Sequence, residues 1–127
     1  MDEYKYRLEK EYVFKSGIPI KSVHDLFFRD SKKVWLVITT NGDWIISKGY
    51  SWNGCDVVPD FNSTKYASLI HDTGYQFRQA LNFPYSRKQI DCMFRQKLKQ
   101  DGFMGYQVYY FGVRWFGNIY TKLKSWF

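Results

Sequence analysis

Cysteine is scarce in this chain of 127 residues: Cys55 and Cys92 are the only two, and no C-x-x-C spacing joins them. A disulfide-built scaffold and a structural zinc site are therefore not expected, and a reduced compartment is. No run approaches the ~18 consecutive apolar residues that a membrane-crossing helix needs. The opening stretch MDEYKYRLEKEY is charged from the start, so no secretory leader is expected. Internal repeats, linkers and low-complexity tracts are missing, which leaves one domain over 1–127. Acidic residues run short in the second half. Residues 61–127 hold ten Lys/Arg against three Asp/Glu, while residues 1–60 hold nine of each, so the net charge of +7 arises entirely after residue 60. A basic half in a chain that is 21% aromatic points to an anionic partner, or to a solvated basic helix surface. No recognition-helix or base-stacking motif singles out nucleic acid.

What is present divides in two. Up to about residue 61 the pattern is β. "KVWLVITT" (Lys33 to Thr40) and "DWIISKGY" (Asp43 to Tyr50) are rich in β-branched and aromatic residues. Asn41-Gly42 between them predicts a tight type I′ hairpin, with both residues at positive φ. "YVFKSGIPI" predicts an earlier strand that Gly17 and Pro19 restrict to an edge or a turn. From about residue 62 the apolar period changes to 3.6. A first helix is expected from the N-cap Ser63 to about Leu81, ended by "NFPY". A second opens on the Ser86/Gln89 capping box and stops at Gly102. A third covers about residues 105–126. The expected fold class is α+β: a small N-terminal antiparallel sheet followed by three helices.

Chemistry concentrates in "SLIHDTGYQF" (Ser68 to Phe77) on the first helix. His71 shares a face with Ala67 and Tyr75, three to four residues away. Asp72 points about 100° further round the axis, so it does not form a pair with His71 but can border the same cleft. A histidine base needs an acceptor on its other nitrogen. On the second helix Asp91 lies beside the apolar stripe Ile90, Phe94 and Leu98. Antiparallel packing of the two helices would bring Asp91 to His71, with Asp72 left for a cation. The other explanation is a histidine that is merely packed on a half-apolar helix. A second His-Asp pair, His24-Asp25, has neither a following tyrosine nor a partner helix and reads as structural.

The stretch "GYSWNGCDVVPDF…YASLIHDTGYQFRQALNFPYSRKQIDCMFRQKLKQDGFMGYQVYYFGVRWFG" resembles a family of uncharacterised tailed-phage and prophage proteins. In that family G-[YF]-x-x-D-G-A-S-x-P precedes A-S-L-x-H-D-x-x-Y, R-x-x-A-D-x-x-F and V-R-x-F-G. The H-D-x-x-Y with an aspartate on the next helix is also similar to phospholipase A2. That resemblance implies His71 as the base that activates water, Asp91 as its orienter and Tyr75 as the support of Asp91. It implies Asp72 as a ligand of Ca2+, together with the loop of Asn53, Gly54 and Asp56. Asn53-Gly54-Cys55-Asp56 stands where the phage family has D-G-A-S, and Ser68 stands where bacterial phospholipases carry a disulfide cysteine. Calcium takes six to eight oxygens, and it can polarise an ester carbonyl.

The third helix mixes Trp, Tyr and Phe with Arg114, Lys122 and Lys124, a composition suited to a lipid interface. Val108, Phe111, Trp115 and Ile119 step by three and four and predict a face packed on the rest of the protein. The last turn, with Lys122, Lys124, Trp126 and Phe127, is the expected interfacial surface. The function expected is a phage-encoded, phospholipase A2-like hydrolase of membrane lipid esters, with a histidine base and metal assistance. The alternative is a non-catalytic phage structural or host-interaction protein on the same fold. Partners would be membrane phospholipid or another anionic surface, and phage virion proteins. The location would be the host cytoplasm or the virion.

Overall fold

Alternation of large apolar residues sets the sheet. In β4 (Val34–Ile38) Leu36 and Ile38 are buried, and in β5 (Asp43–Ile46) Trp44 and Ile46 are. Phe14 of β2 (Tyr12–Lys15) and Phe28 of β3 (Leu26–Arg29) extend the same inner face. These strands form one antiparallel sheet in the order β2-β5-β4-β3, so β2 takes the edge that Gly17 and Pro19 predicted. A second, two-stranded ribbon pairs β1 (Tyr6–Arg7) with β6 (Ser51–Trp52). The computed structural model describes residues 4–55 and 58–125, with side chains as far as residue 116.

The β4–β5 hairpin lies where Asn41-Gly42 put it but uses another turn. Thr39 and Asp43 close a three-residue loop, and Gly42 takes a φ of 87° while Asn41 does not reach positive φ. One left-handed residue after the turn restores the strand twist, so the second is not required. Asp25, from the structural His-Asp pair, accepts the N–H of Thr40 and steadies this turn.

Three helices follow: α1 (Lys65–Phe77), α2 (Arg87–Gln100) and α3 (Tyr106–Ser125). α1 differs from expectation at both ends. A 3₁₀ turn, Asn62–Thr64, takes up Ser63, and Thr64 occupies the N-cap without a side-chain bond. The helix stops at Phe77, before Leu81, because successive turns from Phe77 to Phe83 carry the chain to Asn82 at φ 72°. α2 behaves as read: Ser86 Oγ accepts from Gln89 N, and Gln89 reaches back to Ser86 N. At its end Gly102, at φ 79°, closes a Schellman motif, with Phe103 N bonded to Leu98 O and Gly102 N to Lys99 O.

α1 and α2 run antiparallel: Tyr75 and His71 of α1 meet Asp91 of α2, while Ala67 meets Phe94 and Leu98 further along. Their other faces, with Leu69, Ile70, Phe77, Ile90 and Met93, close on the sheet. Each such residue fully withdrawn from water stabilises the fold by about 1.5–3 kcal/mol. A second cluster joins Ala67, Phe94 and Leu98 to Tyr109 and Val113 of α3.

The orientation of α3 is a correction. Val108, Phe111 and Trp115 are 72%, 66% and 60% exposed, and the helix buries Tyr109, Tyr110 and Val113 instead. The inward face is the one whose polar atoms find partners. Tyr109 OH donates to Pro59 O at 2.7 Å, and Arg114 Nη1 donates to Asp91 at 2.9 Å. Facing Val108 and Phe111 inward would forfeit both bonds. Ile119 lies outside the residues whose side chains are described.

Gly74 sets the closeness of α1 and α2. A Cβ there would lie 2.7 Å from Ile90 Cγ2 and 3.1 Å from Trp44 Cη2. Gly74→Ala gains about 1 kcal/mol of helix propensity and loses about 1–3 kcal/mol to overpacking. Because Ile90 and Trp44 are both fully buried, the net effect is a loss, seen as a lower denaturation midpoint in urea.

Candidate active site

Asp91 has no solvent-exposed surface, yet four cationic or hydrogen-bonding groups surround its carboxylate. Oδ1 meets His71 Nε2 at 2.8 Å and accepts from Tyr75 OH at 2.7 Å. Oδ2 accepts from Arg114 Nη1 at 2.9 Å and lies 3.8 Å from Arg87 Nη1. Burial alone would raise the pKa of this carboxyl. The bonds from His71 and Tyr75, the imidazole's charge and the Arg114 bond outweigh it and hold the value below the ordinary one. Burial, then the bond to Asp91 and its charge, push the Tyr75 phenol up, so it remains a donor.

Helical spacing explains the pairing. His71 and Tyr75 are one turn apart on α1, and their rings pack at a 33° tilt with centroids 4.1 Å apart. Phe94 of α2 closes the other side of the imidazole at 5.1 Å. The His71 side chain keeps 16% of its surface exposed. Since Nε2 is held against a carboxylate, that nitrogen carries hydrogen, and in the neutral ring the lone pair lies on Nδ1. The expected grouping of His71, Asp91 and Tyr75 is therefore present as a contact set.

Asp72 diverges from His71, as the helical angle predicted. It borders a cleft of about 420 Å³ together with Tyr4, Tyr50, Trp52, Asn53 and Tyr75. Tyr75 thus belongs to both places, while His71 stands behind it. Tyr50 OH donates to Gln76 at 2.7 Å on one wall; burial and then the Asp72 charge raise its pKa. Trp52 ties β6 to α1, donating through Nε1 to Ser68 Oγ at 3.0 Å.

The proposed ligand loop turns to a different task. Asn53 Oδ1 accepts from Lys5 N at 3.1 Å. Gly54 takes a φ of 83° so that the chain can wrap Asp60; a Cβ there would sit 2.6 Å from Asp60 Oδ1. Asp60 accepts from Lys5 Nζ at 2.6 Å, Tyr6 OH at 2.8 Å and Cys55 N at 3.2 Å. Asp56 lies outside the described residues, as do Trp126 and Phe127, and the side chains of Lys122 and Lys124 are likewise not described. Of the expected calcium ligands, Asp72 and Asn53 share the cleft, and Asn53 is engaged elsewhere. Among the described residues no three His, Cys, Asp or Glu side chains gather to hold a metal. A calcium shell of six to eight oxygens would therefore have to draw on backbone carbonyls of the loop beside the Asp72 carboxylate.

Two groupings at the site carry little signal in the sequence. Arg114 was assigned to a lipid-facing composition, yet it reaches Asp91 across the α2–α3 contact. Asp60 organises the cleft loop from 55 residues beyond Lys5. The only sequence signal for Arg114 was its place in V-R-x-F-G.

Removing the carboxylate in Asp91→Ala leaves Arg114 without its counter-charge. The expected loss is about 3–5 kcal/mol, measured by urea denaturation near neutral pH. The native pKa of Asp91 is lowered from 3.8. Its stabilisation is therefore complete above that value and disappears as pH falls through the lower native one. Wild type should lose this contribution in acid, and Asp91→Ala should show no corresponding loss.

Set against known protein families, curated proteins and solved structures, the chain matches none of them, so the site stands on its own geometry.

Proposed function

We propose that this chain is a phage-encoded, phospholipase A2-like hydrolase of membrane lipid esters. The observation that carries the reading is His71 Nε2 at 2.8 Å from a fully buried carboxylate that Tyr75 also holds. This arrangement supplies an oriented imidazole with Nδ1 as the base. Nδ1 takes a proton from water while the water oxygen adds to the ester carbonyl carbon. Collapse of the tetrahedral intermediate breaks the acyl C–O bond, and the imidazolium returns its proton to the leaving alcohol oxygen. A base of this kind contributes about 10²–10⁴-fold. Asp91 fixes the ring through its bond with Nε2.

Calcium remains part of the proposal, with Asp72 as the carboxylate that would meet it and ester polarisation as the chemistry it would supply. A lipid substrate is favoured by α3. Met104, Val108, Phe111 and Trp115 leave an apolar, aromatic stripe in water, and no acidic residue follows Asp101 in the chain. Such a face suits the interfacial region of a membrane with anionic lipid. Among the described residues no helix is long and apolar enough to cross the bilayer. Action from the host cytoplasm or from the virion fits this reading equally.

A second reading is a non-catalytic phage structural or host-interaction protein, which could use the same surface to hold virion proteins. The engagement of Asn53 by Lys5 favours it, because it withdraws an oxygen from the cleft.

Purified protein should release fatty acid from anionic phospholipid vesicles, and His71→Gln should lower the rate ~10²–10⁴-fold with the fold intact. Titration with calcium and with chelator tests the metal. Wild-type protein that releases no fatty acid with any divalent ion would leave the binding reading. Phage yield unchanged by His71→Gln would point the same way. Phe111→Ser with Trp115→Ser should weaken sedimentation with anionic vesicles while the denaturation midpoint holds, since both side chains are already exposed.

A further inference from the structure

The carboxylate of Asp91 has a division of labour between its oxygens. Oδ1 serves α1, through His71 and Tyr75, and Oδ2 serves α3, through Arg114. An aspartate carboxylate turns easily about its last torsion, where the preference is broad and two-fold. Two bonds to one oxygen do not by themselves prevent that rotation. A charge-assisted bond to the other oxygen does, because any turn that relaxes one side breaks the other. Arg87 Nη1, at 3.8 Å from Oδ2, is beyond direct hydrogen-bonding distance. Arg114, at 2.9 Å, makes the close contact. Its guanidinium is planar and permanently charged, and Arg95 and the Tyr110 ring on the same helix contact make a separate pair at 4.2 Å.

We infer that Arg114 is a positioning residue for His71: by clamping Asp91 Oδ2 it keeps Oδ1 on Nε2 and so holds the imidazole in the tautomer with hydrogen on Nε2 and the lone pair on Nδ1. A base that drifts to the other tautomer has its lone pair turned toward the carboxylate and cannot take a proton from water. Arg114 does not line the cleft, and its bond is to the carboxylate, through which it acts. The kinetic consequence rests on the hydrolase reading, whereas the tautomer consequence does not.

The test uses the full chain with ¹⁵N-labelled histidine, at alkaline pH where imidazoles are neutral. The chain has two histidines, and exposed His24 serves as the internal reference. In wild type the two ring nitrogens of His71 should give widely separated signals, with Nε2 as the protonated one. Arg114→Gln should draw these signals toward each other as the tautomers mix, while those of His24 stay in place. On anionic vesicles the same variant should lose ~10–100-fold in kcat, the usual effect of removing a partner once removed from the reacting group, with KM within about twofold. Arg114→Lys should fall between the two in both readouts, since lysine supplies a charge without the planar fork.

Unchanged His71 signals in Arg114→Gln, whatever happens to its stability, would make Arg114 a strut between α2 and α3 and overturn the inference. Should Arg114→Gln fail to fold, Arg114→Lys decides: signals shifted part of the way support the inference, and wild-type signals overturn it. Mixed tautomers in a protein without hydrolytic activity would sink the hydrolase reading and leave the positioning role standing.

Discussion

A carboxylate shut away from water must be matched by charge and hydrogen bonds or it takes up a proton. Asp91 meets that demand with His71 and Tyr75 from α1, Arg114 from α3, and Arg87 from its own helix. The relative placement of the three helices follows from it. α1 must lay the face that carries His71 and Tyr75 against α2 for two residues one turn apart to reach one oxygen. α3 must turn its tyrosine and arginine face inward, even though this leaves Val108, Phe111 and Trp115 in water.

The β region contributes in another way. Its single buried face gives α1 and α2 a floor, and Gly74 lets α1 settle close enough for Ile90 and Trp44 to fill the space a side chain would take. The β1–β6 ribbon is only two residues long, yet Trp52 anchors it to Ser68, and Asp60 gathers Lys5, Tyr6 and the loop through Cys55 around itself. These bonds shape the cleft beside Asp72. The cleft and the imidazole are joined through Tyr75, which lines one and supports the other.

Local signals in the chain were readable because their physics is local. The Ser86/Gln89 box, the Gly102 stop and the place of the Asn41-Gly42 turn depend on a few neighbouring residues. The meeting of His71 with Asp91 could be foreseen from two helical periods and an antiparallel connection. Other features depended on partners far along the chain. α3 is aromatic on every side, so its apolar period fits more than one face, and hydrogen bonding to Pro59 and Asp91 decides between them. β1 and β6 are too short to show alternation. The early end of α1 comes from a left-handed Asn82, which the pattern of apolar residues does not reveal.

Asp91 draws its partners from all three helices, so the full set forms only when all three have packed. A chain in which α3 has yet to dock keeps His71 and Tyr75 on Oδ1 but lacks the close Arg114 bond to Oδ2. α3 is thus the helix that completes the shell of this carboxylate, and loosening it from α2 releases Oδ2 first.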